Sequence, residues 1–117
     1  MPTVPLHVSD MLITVKTHEV QRGLQADVGG DRARAVRHFL AAAHLEIVLA
    51  DDYAQAGQEE MAIHNRIGAA SSFWRAGQVE VARAHFDDVL KDAPAQAVTI
   101  RELIAELSRD YPQSERK

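Results

Sequence analysis

The stretch AVRHFLAAAHLEIVLADDYA, Ala35 to Ala54, admits one regular structure. With each residue turned about 100° from the last, Val36, Phe39, Leu40, Ala43, Ile47, Ala50 and Ala54 share one stripe of a helix, and Ala41, Leu45, Val48 and Leu49 lie roughly opposite. The helix extends from Asp31 to about Gln55. Apolar on two sides, it needs cover on both, so it is either the centre of the domain or half of an oligomer interface.

A chain of 117 residues fits one domain built on one core. Its 46% apolar and 26% charged residues are the proportions of a globular protein, which argues against global disorder. The absence of cysteine removes disulfides, thiolate metal sites and thiol catalysis together, and is compatible with a reducing compartment. The net charge of −4 divides evenly, with five Lys/Arg against seven Asp/Glu in residues 1–58 and eight against ten in the remainder. Neither half is basic, which argues against duplex nucleic acid and anionic membranes as partners. No stretch approaches ~18 uninterrupted apolar residues, and no basic leader precedes an apolar run, so a cytoplasmic protein is expected.

Outward from the central helix, Gly29-Gly30 reads as a turn and Asp31 as the cap at the positive helix end. Before it, Ser9 is a plausible N-cap for a helix carrying Leu12, Val15, Val20 and Leu24 and ending by Val28. Pro2 and Pro5 bias residues 1–8 towards a loose tail. After it, Gly57 precedes a helix from about Gln58 to Ala76 with Ile63, Ile67, Ala70, Phe73 and Trp74 on its apolar face. Gly77 precedes another, Val79 to Asp92, with Val79, Ala82, Phe86, Val89 and Leu90 inward. A last helix follows Pro94, striped by Ala97, Ile100, Leu103, Ile104 and Leu107, and Tyr111-Pro112 ends it before a charged tail, residues 112–117. The pattern predicts an all-α domain over residues 9–111, with four or five antiparallel helices joined by short turns.

The chain also repeats itself. Gly23, Ala26, Gly30, Ala35, Phe39 and Ala42 have counterparts 47 positions on in Ala70, Phe73, Gly77, Ala82, Phe86 and Val89, with three identities. Each unit has a turn glycine, a small residue where helices touch and an aromatic one turn later. This pattern resembles the tetratricopeptide repeat, on Ala69-Ala70-x2-Phe73, Gly77, Ala82-x3-Phe86 and Pro94 in the second unit and on Gly23, Gly30 and Ala35-x3-Phe39 in the first. The first unit departs from the family in Arg22, Ala26 and the lack of a closing proline. The spacing exceeds the family's usual length of about 34 by about thirteen residues, placed around Ala50 to Ile63. The resemblance covers roughly residues 16 to 94 and implies two helical hairpins with a C-terminal capping helix.

The resemblance further implies a partner-binding groove lined by Thr17, Val20, Leu24, His64, Ile67, Ser71, Trp74 and Arg75. Family members that clamp a terminal carboxylate use lysine and asparagine where Ile67 and Ser71 stand here, so that mode is not expected at those positions. Two units and a cap leave one apolar face over, which implies a homodimer through Leu45, Val48, Leu49 and Tyr53.

Other motifs are weighed against plainer readings. Glu60 with His64, and His85 with Asp88, could each supply two metal ligands, but two ligands do not make a site, and no metal is expected. Arg37, His44 and Asp51, seven apart, drift only about 20° per step and form a polar strip on the central helix. Arg37 and His44 resemble the R-x6-H ribonuclease motif of HEPN domains, in which the arginine would stabilise phosphate charge and the histidine move a proton. His38 and Phe39 follow Arg37 where that motif often carries a polar residue, and a seam of ordinary ion pairs is the plainer reading. The expectation is therefore a non-enzymatic interaction module or small scaffold with a protein or peptide partner and no cofactor, the alternative being a HEPN-like ribonuclease.

Overall fold

The computed structural model describes the backbone of residues 4–112 and the side chains of residues 10–112. It consists of α1 (Val4–Val28), α2 (Arg32–Gln55), α3 (Glu59–Arg75), α4 (Val79–Asp92), a single 3-10 turn (Pro94–Gln96) and α5 (Ala97–Asp110), with no strand among the described residues. The protein is all-α. Its extents are 56 × 32 × 18 Å, an elongated and rather flat body.

The first four helices run antiparallel to their neighbours in the chain, as the residues that meet across them show. Gly23 of α1 lies against the Phe39 ring of α2, while Glu46 of α2 reaches Gly68 of α3 and His44 packs on Phe73. Between α3 and α4, Phe73 meets His85 and Arg66 pairs with Asp92. With Asp27 of α1 paired to Arg32 of α2, one number rises as the other falls in each of the three pairs.

The three turns are built alike. The N–H of Asp31, Gln58 and Gln78 donates to the carbonyl of Ala26, Tyr53 and Phe73 respectively, at 2.8 to 2.9 Å. This is the six-residue closure of a helix whose next residue is left-handed. Gly30 and Gly77 supply that conformation at φ 82° and 85°, where a Cβ would be strained. Asp31 caps α2, accepting a hydrogen bond from the Arg34 N–H at 3.1 Å. The N-terminal expectation is corrected. Helix α1 begins at Val4 rather than after Ser9, and Pro5 falls in the first turn, where a missing N–H costs little. Residues 1–3 and 113–117 of the expected tails lie outside the described residues.

α2 is the centre of the fold, packed by α1 on one side and α3 on the other. Its buried positions are Ala35, Phe39, Ala42, Ala43, Glu46, Leu49 and Ala50. The larger core unites Ala43, Ala70, Phe73, Trp74, Ala82, Phe86 and Val89 with Ile100 and Leu107 of α5; a smaller one joins Ala35, Phe39 and Ala76. Ala35 and Ala82 are completely enclosed. Leucine at either should cost about 1 to 3 kcal/mol by overpacking, measured by chemical denaturation. Neutral behaviour at both would mean that neither marks a close helix contact.

Candidate functional site: a cleft at one end of the bundle

Antiparallel packing brings the ends of five helices and two turns together. The last turn of α1, the first residue of α2, the last turn of α3, the start of α4 and the end of α5 enclose an open cleft of about 990 Å³, lined by Leu24, Asp27, Val28, Arg32, Trp74, Arg75, Gly77, Val79, Glu80, Asp110, Tyr111 and Pro112. That volume is in the range of ligand pockets.

Arg32 ties the cleft together. Its Nη1 donates to both carboxylate oxygens of Asp27 at 3.0 Å, and its Nη2 donates to the Arg75 carbonyl. That carbonyl belongs to the last turn of α3, where no helical N–H is left to serve it. The same guanidinium lies 5.4 Å from the centre of the Tyr111 ring, a cation–π contact. Tyr111 in turn meets the buried Phe39 edge-on, centroids 6.2 Å apart. Burial first, then the neighbouring Asp27 carboxylate, pushes the Tyr111 phenol above its usual range.

Trp74, the only tryptophan, contributes to the cleft wall although it is 1% exposed. The Arg83 guanidinium lies 4.9 Å from its ring centre. Its Nε1–H is enclosed and has no acceptor among the described residues. Arg75 is half-buried and forms no ion pair among them.

The residues of the sequence-derived groove are divided by this cleft. Leu24, Trp74 and Arg75 line the cleft; Thr17, Val20, His64 and Ile67 do not. Thr17 and His64 are exposed, Val20 and Ile67 half-buried. Ser71 is buried and its hydroxyl donates back to the Ile67 carbonyl at 3.0 Å, so it offers nothing to a partner. Trp74 is a core residue whose flank reaches the cleft, rather than an open anchor. Of the expected dimer surface, Leu49 is fully enclosed within the chain and is removed from it. Val48 remains 46% exposed, with Leu45 and Tyr53 half-buried.

Sequence reasoning missed Asp27, Arg32 and Tyr111. An aromatic directly after the last helix was the available signal for Tyr111; nothing local marks Arg32 as a tie between three elements.

The remaining candidates stay apart from the cleft. Arg37, His44 and Asp51 are all exposed, and His44 sets its ring edge-on to Phe73 at 5.7 Å. On the other side of Phe73, His85 stacks at 5.2 Å. Among the described residues no three His, Asp or Glu side chains are placed to hold a metal ion, and no helix is long and apolar enough to cross a membrane. Comparison with protein-family models, curated proteins and solved structures finds no match.

Proposed function

We propose that the chain is a non-enzymatic, cytoplasmic interaction module or small scaffold of tetratricopeptide-like build, binding a protein or peptide partner and pairing with its own copy. The observation that carries this reading is the likeness of the two hairpins. Ala35, Phe39, Ala82 and Phe86 are all enclosed, each pair 47 positions apart in the chain. A large open cleft where both hairpins turn is the kind of concave surface such modules use.

Self-association would use the half of the α1–α2 hairpin farthest from that cleft, where Met11, Val15 and Val48 remain 66%, 46% and 46% exposed. Pairing about a two-fold axis covers such a patch on both copies without opening a fibre. Light scattering should give a dimer at tens of micromolar, and Val48→Glu should give a folded monomer. A wild-type monomer at that concentration removes the dimer.

The ribonuclease alternative rests on Arg37 and His44 alone. Cleavage of single-stranded RNA by the purified protein, lost in both Arg37→Ala and His44→Ala, would overturn the binding-module reading.

A further inference from the structure

We propose that Glu46 is a proton-operated latch for α1: residues 4–18 lie on α2 while its carboxyl group carries a proton, and swing away when it ionises. Glu46 is 6% exposed, and its carboxyl group rests against Gly68 of α3, where a Cβ would collide with it. No cation stands within ion-pair distance of it among the described residues. The charges that act on it come from the two helices beside α2, from Lys16 on α1 and Arg75 on α3. Both are half-buried, and neither is in an ion pair among the described residues. Burial outweighs these two charges and pushes the carboxyl group up to about 7, so a carboxylate formed here gains by reaching water.

The element that can yield is α1. Its one extensive neighbour is α2, and of residues 10–28 only Gly23 is buried, so the helix adds no large side chain to either core. Its specific ties to α2 among the described residues fall between Glu19 and Asp27. His38 Nδ1 meets Glu19 at 2.7 Å, Gly23 receives the Phe39 ring, and Asp27 pairs with Arg32. Before Glu19, the described residues offer only half-buried contacts from Leu12, Ile13 and Lys16, while Met11 and Val15 stand 66% and 46% exposed. A segment that buries so little opens at small cost, whereas α3 and α4 supply most of the larger core. Opening also takes Met11 and Val15 away from the surface proposed for pairing, though the latch itself does not need that pairing.

The direction follows from linkage. In the open form Glu46 meets water and titrates as an ordinary carboxyl near pH 4.5. Rising pH therefore favours opening until the closed form also loses its proton, near pH 7, and adds nothing beyond.

Hydrogen exchange of the full chain, read by mass spectrometry, tests the latch. Expressed as protection factors, the data are free of the intrinsic effect of pH on exchange. From about pH 5.5 to 8, residues 4–18 should lose protection about tenfold or more, while α3 and α4 keep theirs. In Glu46→Gln, which keeps the shape and cannot ionise, the same residues should stay protected throughout. The His38–Glu19 pair is common to both proteins and cancels from the comparison. An equal fall in Glu46→Gln, an equal fall in α3 and α4, or no fall in α1 overturns the proposal. Should the variant not fold, the wild type decides alone: the Glu46 carboxyl carbon, followed by NMR, should titrate within the range over which α1 opens. A Glu46 carboxyl that titrates wholly below about pH 5 overturns the latch without any variant.

Discussion

Phe39→Ala should destabilise the protein by about 3 to 5 kcal/mol, and Phe86→Ala by a similar amount, in equilibrium denaturation with an unchanged denaturant slope. Against the roughly 5 to 15 kcal/mol available to a domain, either change leaves a marginal fold. The two rings are 0% and 1% exposed, but their surroundings differ. Phe39 fills the space left by a missing side chain, since a Cβ built on Gly23 would lie 2.7 to 2.9 Å from its ring atoms. Truncation therefore opens a cavity that the glycine opposite cannot refill. The cost rises with the volume left unfilled. Phe39 also holds Tyr111, so its loss should loosen the end of α5 and the cleft with it. Phe86 sits in the larger core with Ala70, Val89, Ile100 and Leu107, where longer side chains can close in, so its cost should fall at the lower end of the range. A loss below about 1 kcal/mol at Phe39 would show that its ring does not fill the α1–α2 crevice.

This contrast also explains what was legible in the amino-acid order. α2, apolar on two sides, is flanked by α1 and α3; the Asp31 cap and the Gly30 and Gly77 turns are local chemistry and follow from a few adjacent residues. Which neighbour covers which stripe is not local. Leu49, on the stripe assigned to another copy, is enclosed within the chain, and Ser71 and Trp74, assigned to an open groove, face packed neighbours. A helical projection gives the angle between side chains and not the position of the next helix. The cleft was least legible of all, because Arg32 and Tyr111 are 79 residues apart and acquire their relation only when α5 returns across the fold.

Glu46 is the sharpest case. Its place on α2 gives no sign of burial, yet it is 6% exposed because Gly68 on α3 leaves room for its carboxylate. A Cβ on Gly68 would stand 2.7 Å from Oε1, so Gly68→Ala should displace the carboxyl group. Burial pushes the Glu46 pKa up from 4.5 to about 7, against the opposing charges of Lys16 on α1 and Arg75 on α3. The folded protein thus holds a proton that the unfolded chain releases at about pH 4.5. Its contribution to stability is complete below pH 4.5 and is lost progressively as pH rises through about 7. The full loss is on the order of 3 kcal/mol, since each tenfold change in proton affinity is worth about 1.4 kcal/mol.

Glu46→Gln keeps the shape and removes the titration. Denaturation at a series of pH values from about 5 to 8 should therefore show a falling difference: wild type minus variant declines with pH, and the variant is the more stable at the alkaline end. Histidines and other carboxylates titrate in both proteins, so they cancel from that difference. Lys16→Met should deepen the loss at the alkaline end by removing a charge that favours the carboxylate. A wild-type-minus-variant difference that stays constant across that series would mean that the Glu46 carboxylate keeps its charge in the fold, with Lys16 swung over to neutralise it.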